Sequence, residues 1–341
     1  MFRTAATLIA TVLFTLNSSA VPALSADSAI LIDGDTGAVL FAHHARERSL
    51  IASTTKIMTA VVVLEHCDPE MAFTVPAEAV GIEGSSLYLA EGEVLTVREL
   101  LYGLMLHSGN DAAVALALAC SDSVPEFVAL MNLKAQELGM VDSHFENPSG
   151  LDGSAHYSTA EDLANLTSYA LKIPLFREIV STKSVQIGAR HLTNHNKLLW
   201  MLDGVIGVKT GYTREAGRIL VSAAEQKGRQ LIAVTIDDRN DWEDHKTLYH
   251  YGFNLYEEKC FVEAGQKVTK IPLLCGKNTP LIAGEDFYYC VREGEKPCII
   301  PAFPRIGLYC GEEGSTAGYG WIYLGQKKIG QIELLWGGME T

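Results

Sequence analysis

Residues 51–60 place a serine, Ser53, at the start of an apolar run and a lysine, Lys56, three positions later. If the run from residue 54 to about residue 66 is helical, the two side chains lie on one face, one turn apart. Its β-branched residues also fit a strand, but its length favours a helix. A helix that is apolar nearly all round lies at the centre of a domain, so we expect this pair to be buried.

The spacing of this pair suits nucleophilic catalysis. A serine hydroxyl attacks well only when a base takes its proton. The amine of Lys56 can be that base only when it is neutral, and burial, a second cation or the positive end of a helix lowers its pKa. We expect all three here. The pair alone is weak evidence, because Ser-x-x-Lys occurs about once by chance in a chain of this length. For the isolated pair, an ordinary helix start with a solvated lysine is the better explanation.

Two further motifs follow in the chain, Ser108-Gly109-Asn110 and Lys209-Thr210-Gly211. Each by itself is most often a turn. Together with Ser53-Thr54-Thr55-Lys56, they stand in the order of the three motifs of serine penicillin-binding proteins and class A β-lactamases. The middle motif carries glycine, as in the carboxypeptidase branch. The chain therefore resembles the low-molecular-weight D-alanyl-D-alanine carboxypeptidases over about residues 27–336.

The sequence between the motifs extends this resemblance. It includes Asn147-Pro148-Ser149-Gly150, a stretch from Asn194 to Leu199, and Gly211-Tyr212-Thr213 leading to Ala216-Gly217. Three ordered motifs joined by matching sequence are much more specific than any one of them.

The resemblance implies a role for each motif residue. Ser53 would attack the amide carbonyl of a peptide ending in D-Ala-D-Ala, and Lys56 would take its proton. The backbone N–H groups of Ser53 and Tyr212 would stabilise the oxyanion. Ser108 would relay a proton to the leaving D-alanine. No metal or cofactor is implied, and no Cys-x-x-Cys spacing with histidines indicates zinc.

The remaining motif residues would bind and orient the substrate. Asn110 would orient either the substrate amide or Lys56. Lys209 would supply a positive field that lowers the pKa of Lys56 and attracts the terminal carboxylate, to which Thr210 would donate a hydrogen bond. Gly211 would let the substrate lie against the strand edge.

The fold that the resemblance implies is α+β: an antiparallel sheet flanked by helices, of the β-lactamase/transpeptidase type, plus a small C-terminal all-β domain. Local patterns agree with it. Residues 29–41 are typical of a strand, a turn and a strand, and Thr96-Val97-Arg98-Glu99 is a capping box. From about Cys260, short strand-like runs alternate with Gly and Pro. We predict a signal peptide at 1–26, a catalytic domain at 27–258 and a β-rich domain at 259–341.

The N-terminal residues indicate export. A short positive end is followed by an apolar run over residues 5–16, and Ala23 or Ala26 suits the last position before cleavage. We therefore expect an extracytoplasmic location on the cell-wall side of the membrane. Many members of the family end in an amphipathic anchoring helix. This chain stops five residues after Trp336, which puts membrane anchoring by that route in doubt.

The net charge limits the classes of binding partner, and the cysteine content bears on disulfides. Lys+Arg 27 against Asp+Glu 41 gives a net charge of −14, which disfavours nucleic acid and anionic lipid. Seven cysteines in an exported chain permit disulfides and leave at least one thiol unpaired within the chain. Cys290 and Cys298 could close a hairpin, or they could be buried thiols. His107 and His195 are interpreted as structural, and His245 as a surface hydrogen-bond partner.

Three functions compete. The first is a carboxypeptidase that trims peptidoglycan stem peptides ending in D-Ala-D-Ala and is acylated by β-lactams. The second is a related endopeptidase or β-lactamase. A class A β-lactamase needs a glutamate base, and the nearest candidate, Glu146-Asn147, has the wrong spacing. The third is an idle scaffold that binds wall peptides or β-lactams, against which intact Ser53, Lys56 and Lys209 argue.

Overall fold

The first part of the chain folds around one antiparallel sheet. The computed structural model describes residues 21–273, 278–302 and 311–338. Before residue 256 its strands are β1 (Ser28–Asp33), β2 (Val39–His43), β3 (Ala72–Thr74), β4 (Val94–Thr96), β5 (Ser184–Ile187), β6 (Arg190–Thr193), β7 (Val205–Thr213), β8 (Gly217–Gln226) and β9 (Arg229–Ile236). Its helices are α1 (Lys56–His66), α2 (Val97–Leu106), α3 (Asn110–Cys120), α4 (Val124–Glu137), α5 (Ala160–Leu171), α6 (Pro174–Ser181), α7 (Leu198–Met201) and α8 (Asp241–Leu255).

The central sheet has the strand order β2-β1-β9-β8-β7, and every pair in it is antiparallel. Side chains alternate between its faces, as the period of two requires. Ile30 and Ile32 of β1 join the core formed with α1, α2, α3 and α5, whereas Leu31 packs with α8 on the other face. The predicted α+β arrangement, an antiparallel sheet flanked by helices, is confirmed. Strand β7 is an edge strand, so a ligand can lie beside it.

The starts of α2 and α1 are fixed in two different ways, by capping and by packing. In α2, Thr96 Oγ1 accepts from Glu99 N, and Glu99 accepts from Thr96 N at 2.8 Å, which confirms the capping box. Helix α1 follows a short 3₁₀ turn, Ala52–Thr55, and its residues 56–63 are buried. A helix buried on all sides is held by packing, so its first turn has a fixed place in the domain.

The chain after α8 forms a second β structure. Its strands are β10 (Tyr256–Val262), β11 (Lys267–Pro272), β12 (Asn278–Ala283), β13 (Phe287–Arg292), β14 (Cys298–Ala302), β15 (Thr316–Leu324) and β16 (Lys327–Trp336). Five of them form an antiparallel sheet in the order β11-β12-β16-β15-β14, and β10 pairs with β13. The predicted all-β texture of this region is confirmed. The predicted boundary at 258 falls within β10, and the division into domains stays a prediction.

The cysteines differ from expectation. Cys67 and Cys120 form a disulfide that joins the ends of α1 and α3, a pairing that the sequence did not suggest. Cys290 and Cys298 are free thiols, so the first of the two alternatives, a bridge that closes a hairpin, is wrong. Cys290 is buried on β13, beside Asp33, while Cys298 is exposed on β14 in a different sheet. Cys275 and Cys310 lie outside the described residues, as do residues 1–20 of the predicted signal peptide.

His245 corrects a second expectation. It is a hydrogen-bond partner, but it is fully buried under the central sheet instead of lying at the surface. Its ring nitrogens contact Ser222 Oγ at 2.6 Å and Thr235 Oγ1 at 3.0 Å. Burial lowers the pKa of His245 to about 3, so the ring is neutral and these two hydroxyls satisfy it.

No single helix in the described ranges is long and apolar enough to cross a membrane. Helices α3 and α4 taken together are long and apolar enough, but the chain bends by 88° between them.

Candidate active site

Ser53 lies in the 3₁₀ turn that leads into α1, and Lys56 is the first residue of that helix. The distance between Ser53 Oγ and Lys56 Nζ is 2.9 Å. The spacing of three residues therefore brings hydroxyl and amine into contact, as the sequence predicts. Ala52, just before Ser53, has a φ of +43°, a left-handed conformation that non-glycine residues rarely adopt. The turn is thus held by its surroundings, not by local preference.

Lys56 is fully buried and has three polar neighbours. Besides Ser53, its Nζ donates to Asn110 Oδ1 at 2.7 Å and to the backbone oxygen of Ser149 at 2.5 Å. A neutral amine has two N–H groups and one lone pair. Two carbonyl oxygens that accept its two hydrogens leave the lone pair for the third neighbour, the Ser53 hydroxyl. The surroundings of Lys56 therefore suit a general base.

Burial and the charge of a second lysine both favour the neutral form of Lys56. Burial lowers the pKa of Lys56 well below its usual value, the positive charge of Lys209 lowers it further, and Asp111 opposes them. A lysine surrounded by protein and facing a second cation favours the uncharged form. Of the three expected influences, burial and a second cation are present, and the main one is burial. The effect of the helix end stays a prediction.

Asn110 is fixed by contacts on both ends of its amide. Its Nδ2 donates to Glu83 O at 2.6 Å while its Oδ1 faces Lys56. Its backbone N–H donates to Ser85 O at 2.7 Å. Sequence reasoning left open whether Asn110 orients the substrate amide or Lys56, and in the structure it contacts Lys56. Next to it, the buried carboxylate of Asp111 accepts from the backbone N–H groups of the 83–89 loop.

The turn at residues 147–151 completes the surroundings of Lys56, and sequence reasoning gave it no role in catalysis. Asn147 Oδ1 accepts from the N–H groups of Ser149, Gly150 and Leu151, which fixes the Ser149 carbonyl. Gly150 has a φ of +83°, and a Cβ there would lie 1.9 Å from Ala52 O. The turn therefore needs glycine to pack against the 3₁₀ turn that carries Ser53. The motif Asn147-Pro148-Ser149-Gly150 is the sequence feature from which this turn could have been recognised as part of the site.

Strand β7 forms the opposite wall. A Cβ on Gly211 would lie 3.2 Å from Ile51 O and 3.3 Å from Thr54 Cγ2, so the strand packs closely on the 3₁₀ turn. Tyr212 follows it with an exposed side chain. Ser53 of the turn and Tyr212 of the strand both line the cavity that lies between these two segments.

Lys209 is buried on the same strand, and its Nζ donates to Thr210 O at 2.8 Å. Burial lowers the pKa of Lys209 to about 7. Its charge acts on two neighbours, since it lowers the pKa of Lys56 and contributes, after burial, to lowering the pKa of His195 to about 4. His195 is therefore neutral beside the cleft.

A cavity of about 350 Å³ brings these residues together. Of the predicted site residues, it is lined by Ser53, Ser108, Thr210 and Tyr212, while Lys56, Asn110 and Lys209 lie behind its wall. Ser108 is nearly buried, with a φ of +65°. Several other lining residues were not predicted to belong to the site: Ser85, His195, Lys197, Arg218, Asp241 and Trp242. Within the described ranges, no cluster of His, Cys, Asp and Glu is arranged to hold a metal ion.

Comparison with known proteins agrees with this geometry. A family model described as D-alanyl-D-alanine carboxypeptidase matches residues 15–240. The chain is 35% identical over 285 residues to the D-alanyl-D-alanine carboxypeptidase DacF of Bacillus subtilis, covering 79% of this chain and 73% of that protein. It is 33% identical over 304 residues to DacD of Escherichia coli, covering 84% and 78%. Among solved structures, it is similar to penicillin-binding protein 5 from Haemophilus influenzae, with a TM-score of 0.81, 28% identity and coverage of 93% and 98%.

Proposed function

The chain belongs to the D-alanyl-D-alanine carboxypeptidase family, and from this premise we propose that it removes the terminal D-alanine of peptidoglycan stem peptides through an acyl-enzyme on Ser53. It is a serine peptidase of cell-wall remodelling, and β-lactams are its covalent inhibitors. The observation that carries the assignment of residues is the contact of Lys56 Nζ with Ser53 Oγ at 2.9 Å, with the other two amine contacts occupied by carbonyl oxygens.

Acylation begins when Lys56 takes the hydroxyl proton and Ser53 Oγ attacks the carbonyl carbon of the penultimate D-alanine. The backbone N–H groups of Ser53 and Tyr212 stabilise the oxyanion, and losing one such donor typically costs about 3–4 kcal/mol. Ser108, which lines the cavity, passes a proton from the Lys56 ammonium to the leaving amine. The C–N bond breaks, and D-alanine departs.

Deacylation uses the same groups again. Lys56 is neutral once the leaving amine has its proton, and it can then take a proton from water, whose oxygen attacks the ester carbonyl at Ser53. The C–O bond to Ser53 Oγ breaks, the Lys56 ammonium returns its proton to that oxygen, and the shortened peptide leaves as a carboxylic acid. Thr210 and Lys209 support binding of the substrate along the edge of β7, where Gly211 leaves room for it.

Two assays test the proposal. Labelled benzylpenicillin is expected to form a covalent adduct on the tryptic peptide that contains Ser53, and diacetyl-Lys-D-Ala-D-Ala is expected to release free D-alanine. Ser53→Ala should abolish both. A matched control is Ser85→Ala, which removes a hydroxyl from the cavity wall without touching the reacting atom. An adduct at another residue would refute the assignment of the nucleophile. An adduct at Ser53 with no D-alanine released would favour the idle scaffold.

The location follows from the same function, because the substrate lies outside the cytoplasm. We infer that the predicted signal peptide is cleaved after Ala23 instead of Ala26. The support is that Ser25 is held by the fold: its N–H donates to Asp244 at 2.6 Å, and its hydroxyl donates to Asp238 at 2.7 Å. Ala26 is also buried. N-terminal sequencing of the exported protein would decide, and a mature chain that begins at Asp27 would refute the inference.

A further inference from the structure

The turn that holds the Ser149 carbonyl belongs to a longer loop, residues 144–157. Two backbone hydrogen bonds between the first and last residues of this loop close its base, at 2.9 Å and 3.0 Å. Lys56 Nζ contacts the Ser149 carbonyl of the loop and the Ser53 hydroxyl of the 3₁₀ turn at the same time. The separation of the loop and the turn therefore decides whether the amine can reach both.

A buried imidazole of this loop contacts the 3₁₀ turn. His156 Nε2 lies 2.8 Å from Thr55 Oγ1, and both residues are buried. On the other side of the ring, Nδ1 accepts from the backbone N–H of Glu146 at 3.1 Å. A ring nitrogen that accepts a hydrogen bond carries no proton, so the proton is on Nε2 and the imidazole donates to Thr55. The ring thus joins the start of the loop to the residue just before Lys56.

The ring of His156 is held in this orientation. Phe145 packs edge-on against it, with ring centroids 5.8 Å apart and an interplanar angle of 85°. Burial lowers the pKa of His156 to about 4. The charges of Glu146 and Asp152 oppose this effect, and that of His144 adds to it. The imidazole is therefore neutral at neutral pH, as a single proton on Nε2 requires.

Two other contacts attach the loop to neighbouring elements. Thr59 Oγ1 of α1 donates to Pro148 O at 2.7 Å, and Thr213 Oγ1 of β7 donates to Asp152 Oδ1 at 3.2 Å. These contacts fix the loop on the helix and on the strand. His156 adds an attachment to the 3₁₀ turn itself, and its ring does not line the catalytic cavity. Its effect on the reaction must therefore pass through the groups that it holds.

We propose that His156 is a positioning residue of the acylation reaction. By donating to Thr55 Oγ1, it fixes the distance between the 3₁₀ turn and the 144–157 loop, the two segments that Lys56 must contact together. The inference rests on the proposed acylation of Ser53. Moving a reacting group by about 1 Å can cost about 100-fold in rate, so the contact acts on the rate of acylation more than on binding.

Two amide substitutions separate the two hydrogen bonds of the imidazole. His156→Asn keeps an acceptor near the position of Nδ1 for Glu146 N–H, but its side chain is too short to reach Thr55. His156→Gln places an amide nitrogen near the position of Nε2 and keeps the donor to Thr55. The rate constant for acylation by benzylpenicillin, per reactive site, should fall about 10–100-fold in His156→Asn and stay within about threefold of wild type in His156→Gln.

His144→Gln is the matched control. It removes an exposed imidazole at the base of the same loop, whose Nδ1 contacts Ala155 O within the loop, and no change in the rate constant is expected. Thr55→Val removes the other partner of the contact while keeping the shape of the side chain. It should slow acylation about as much as His156→Asn, and the double variant should be no slower than either single variant, because both changes remove one contact.

Titration with excess benzylpenicillin separates positioning from lost stability. Unfolded molecules lower the number of reactive sites, whereas a misplaced turn lowers the rate constant per site. A rate constant in His156→Asn equal to that of wild type, equal slowing in His156→Asn and His156→Gln, or additive effects with Thr55→Val would overturn the inference. If wild type itself forms no adduct at Ser53, the proposed function fails and the inference fails with it. A reactive wild type with equally reactive variants refutes the inference alone.

Discussion

The backbone carbonyl of Ser149 accepts a hydrogen bond from Lys56 Nζ at 2.5 Å, although the two residues are 93 positions apart. Lys56, the proposed base, is therefore oriented partly by a main-chain atom of a turn, which side-chain substitution cannot remove. The turn itself is held by Asn147 and by its close packing against Ala52. Catalysis thus depends on how well this turn is kept in place.

Gly150→Ala tests that dependence. The added Cβ would lie 1.9 Å from Ala52 O, at a φ of +83°. We expect the free energy of unfolding to fall by more than about 2 kcal/mol, and penicillin acylation to slow, because the Ser149 carbonyl and the Ser53 turn must move apart. Gly139→Ala is the control: its φ is +69°, but no atom lies within 4 Å of the added Cβ. Equal effects of the two variants in urea unfolding and acylation would contradict this account.

Asn110→Ala should slow acylation by about 100-fold with little change in the affinity for substrate. The substitution removes the acceptor for one Lys56 hydrogen, so the lone pair is no longer directed at Ser53. Stopped-flow measurement with a fluorescent penicillin gives the acylation rate. Asn132→Ala removes another bonded amide, one that does not line the cavity, and controls for lost stability. An unchanged acylation rate in Asn110→Ala would exclude the orienting role.

Lys209→Met should move the ascending limb of the pH profile for acylation to higher pH. Lys209 is a cation that lowers the pKa of Lys56, so without it Lys56 stays protonated up to a higher pH. The limb reports the fraction of neutral amine. Lys197→Met removes an exposed cation of the same cleft and should shift the limb much less. A limb that stays in place in Lys209→Met would show that burial alone sets the pKa of Lys56.

The stability of the same variant should depend on pH in a defined way. In the unfolded chain Lys209 is protonated up to about pH 10.4, whereas in the folded protein its pKa is about 7. Between these values the unfolded state binds more protons, so the free energy of unfolding of wild type rises with pH, by up to about 1.4 kcal/mol per unit. Lys209→Met lacks this contribution, so its free energy of unfolding, measured by urea titration, should rise less between pH 7 and pH 10. Parallel curves for the two proteins would refute the lowered pKa.

The disulfide between Cys67 and Cys120 joins the ends of α1 and α3, which carry Lys56 and Asn110 at their other ends. Its removal in the double variant Cys67→Ser, Cys120→Ser should lower the free energy of unfolding by about 2–4 kcal/mol. Activity at 25 °C should persist, because the helix starts are held by burial. Calorimetry with and without reductant checks this, and the variant should lose the reductant sensitivity of wild type. An unchanged Tm in the double variant would contradict a stabilising role of the disulfide.

The local patterns of the sequence predicted what local geometry controls. The three-residue spacing of Ser53 and Lys56 brings them into contact on the first turn of a helix, and the Thr96–Glu99 capping box forms as expected. Strands β12 and β14 each contain a proline, Pro280 and Pro301, a residue that argues against a strand in the sequence alone. In the structure, tertiary pairing overrides that preference.

The sequence by itself determined the family and the α+β class and supplied the candidate reacting residues, because short motifs and side-chain periodicity are properties of neighbouring positions. Only the tertiary structure decided that Asn110 faces Lys56, that Ser149 completes its contacts and that Arg218 enters the cleft on the side of α8. These contacts join residues dozens of positions apart. Their existence depends on how close buried helices and strands can approach, and no local preference of the chain encodes that distance.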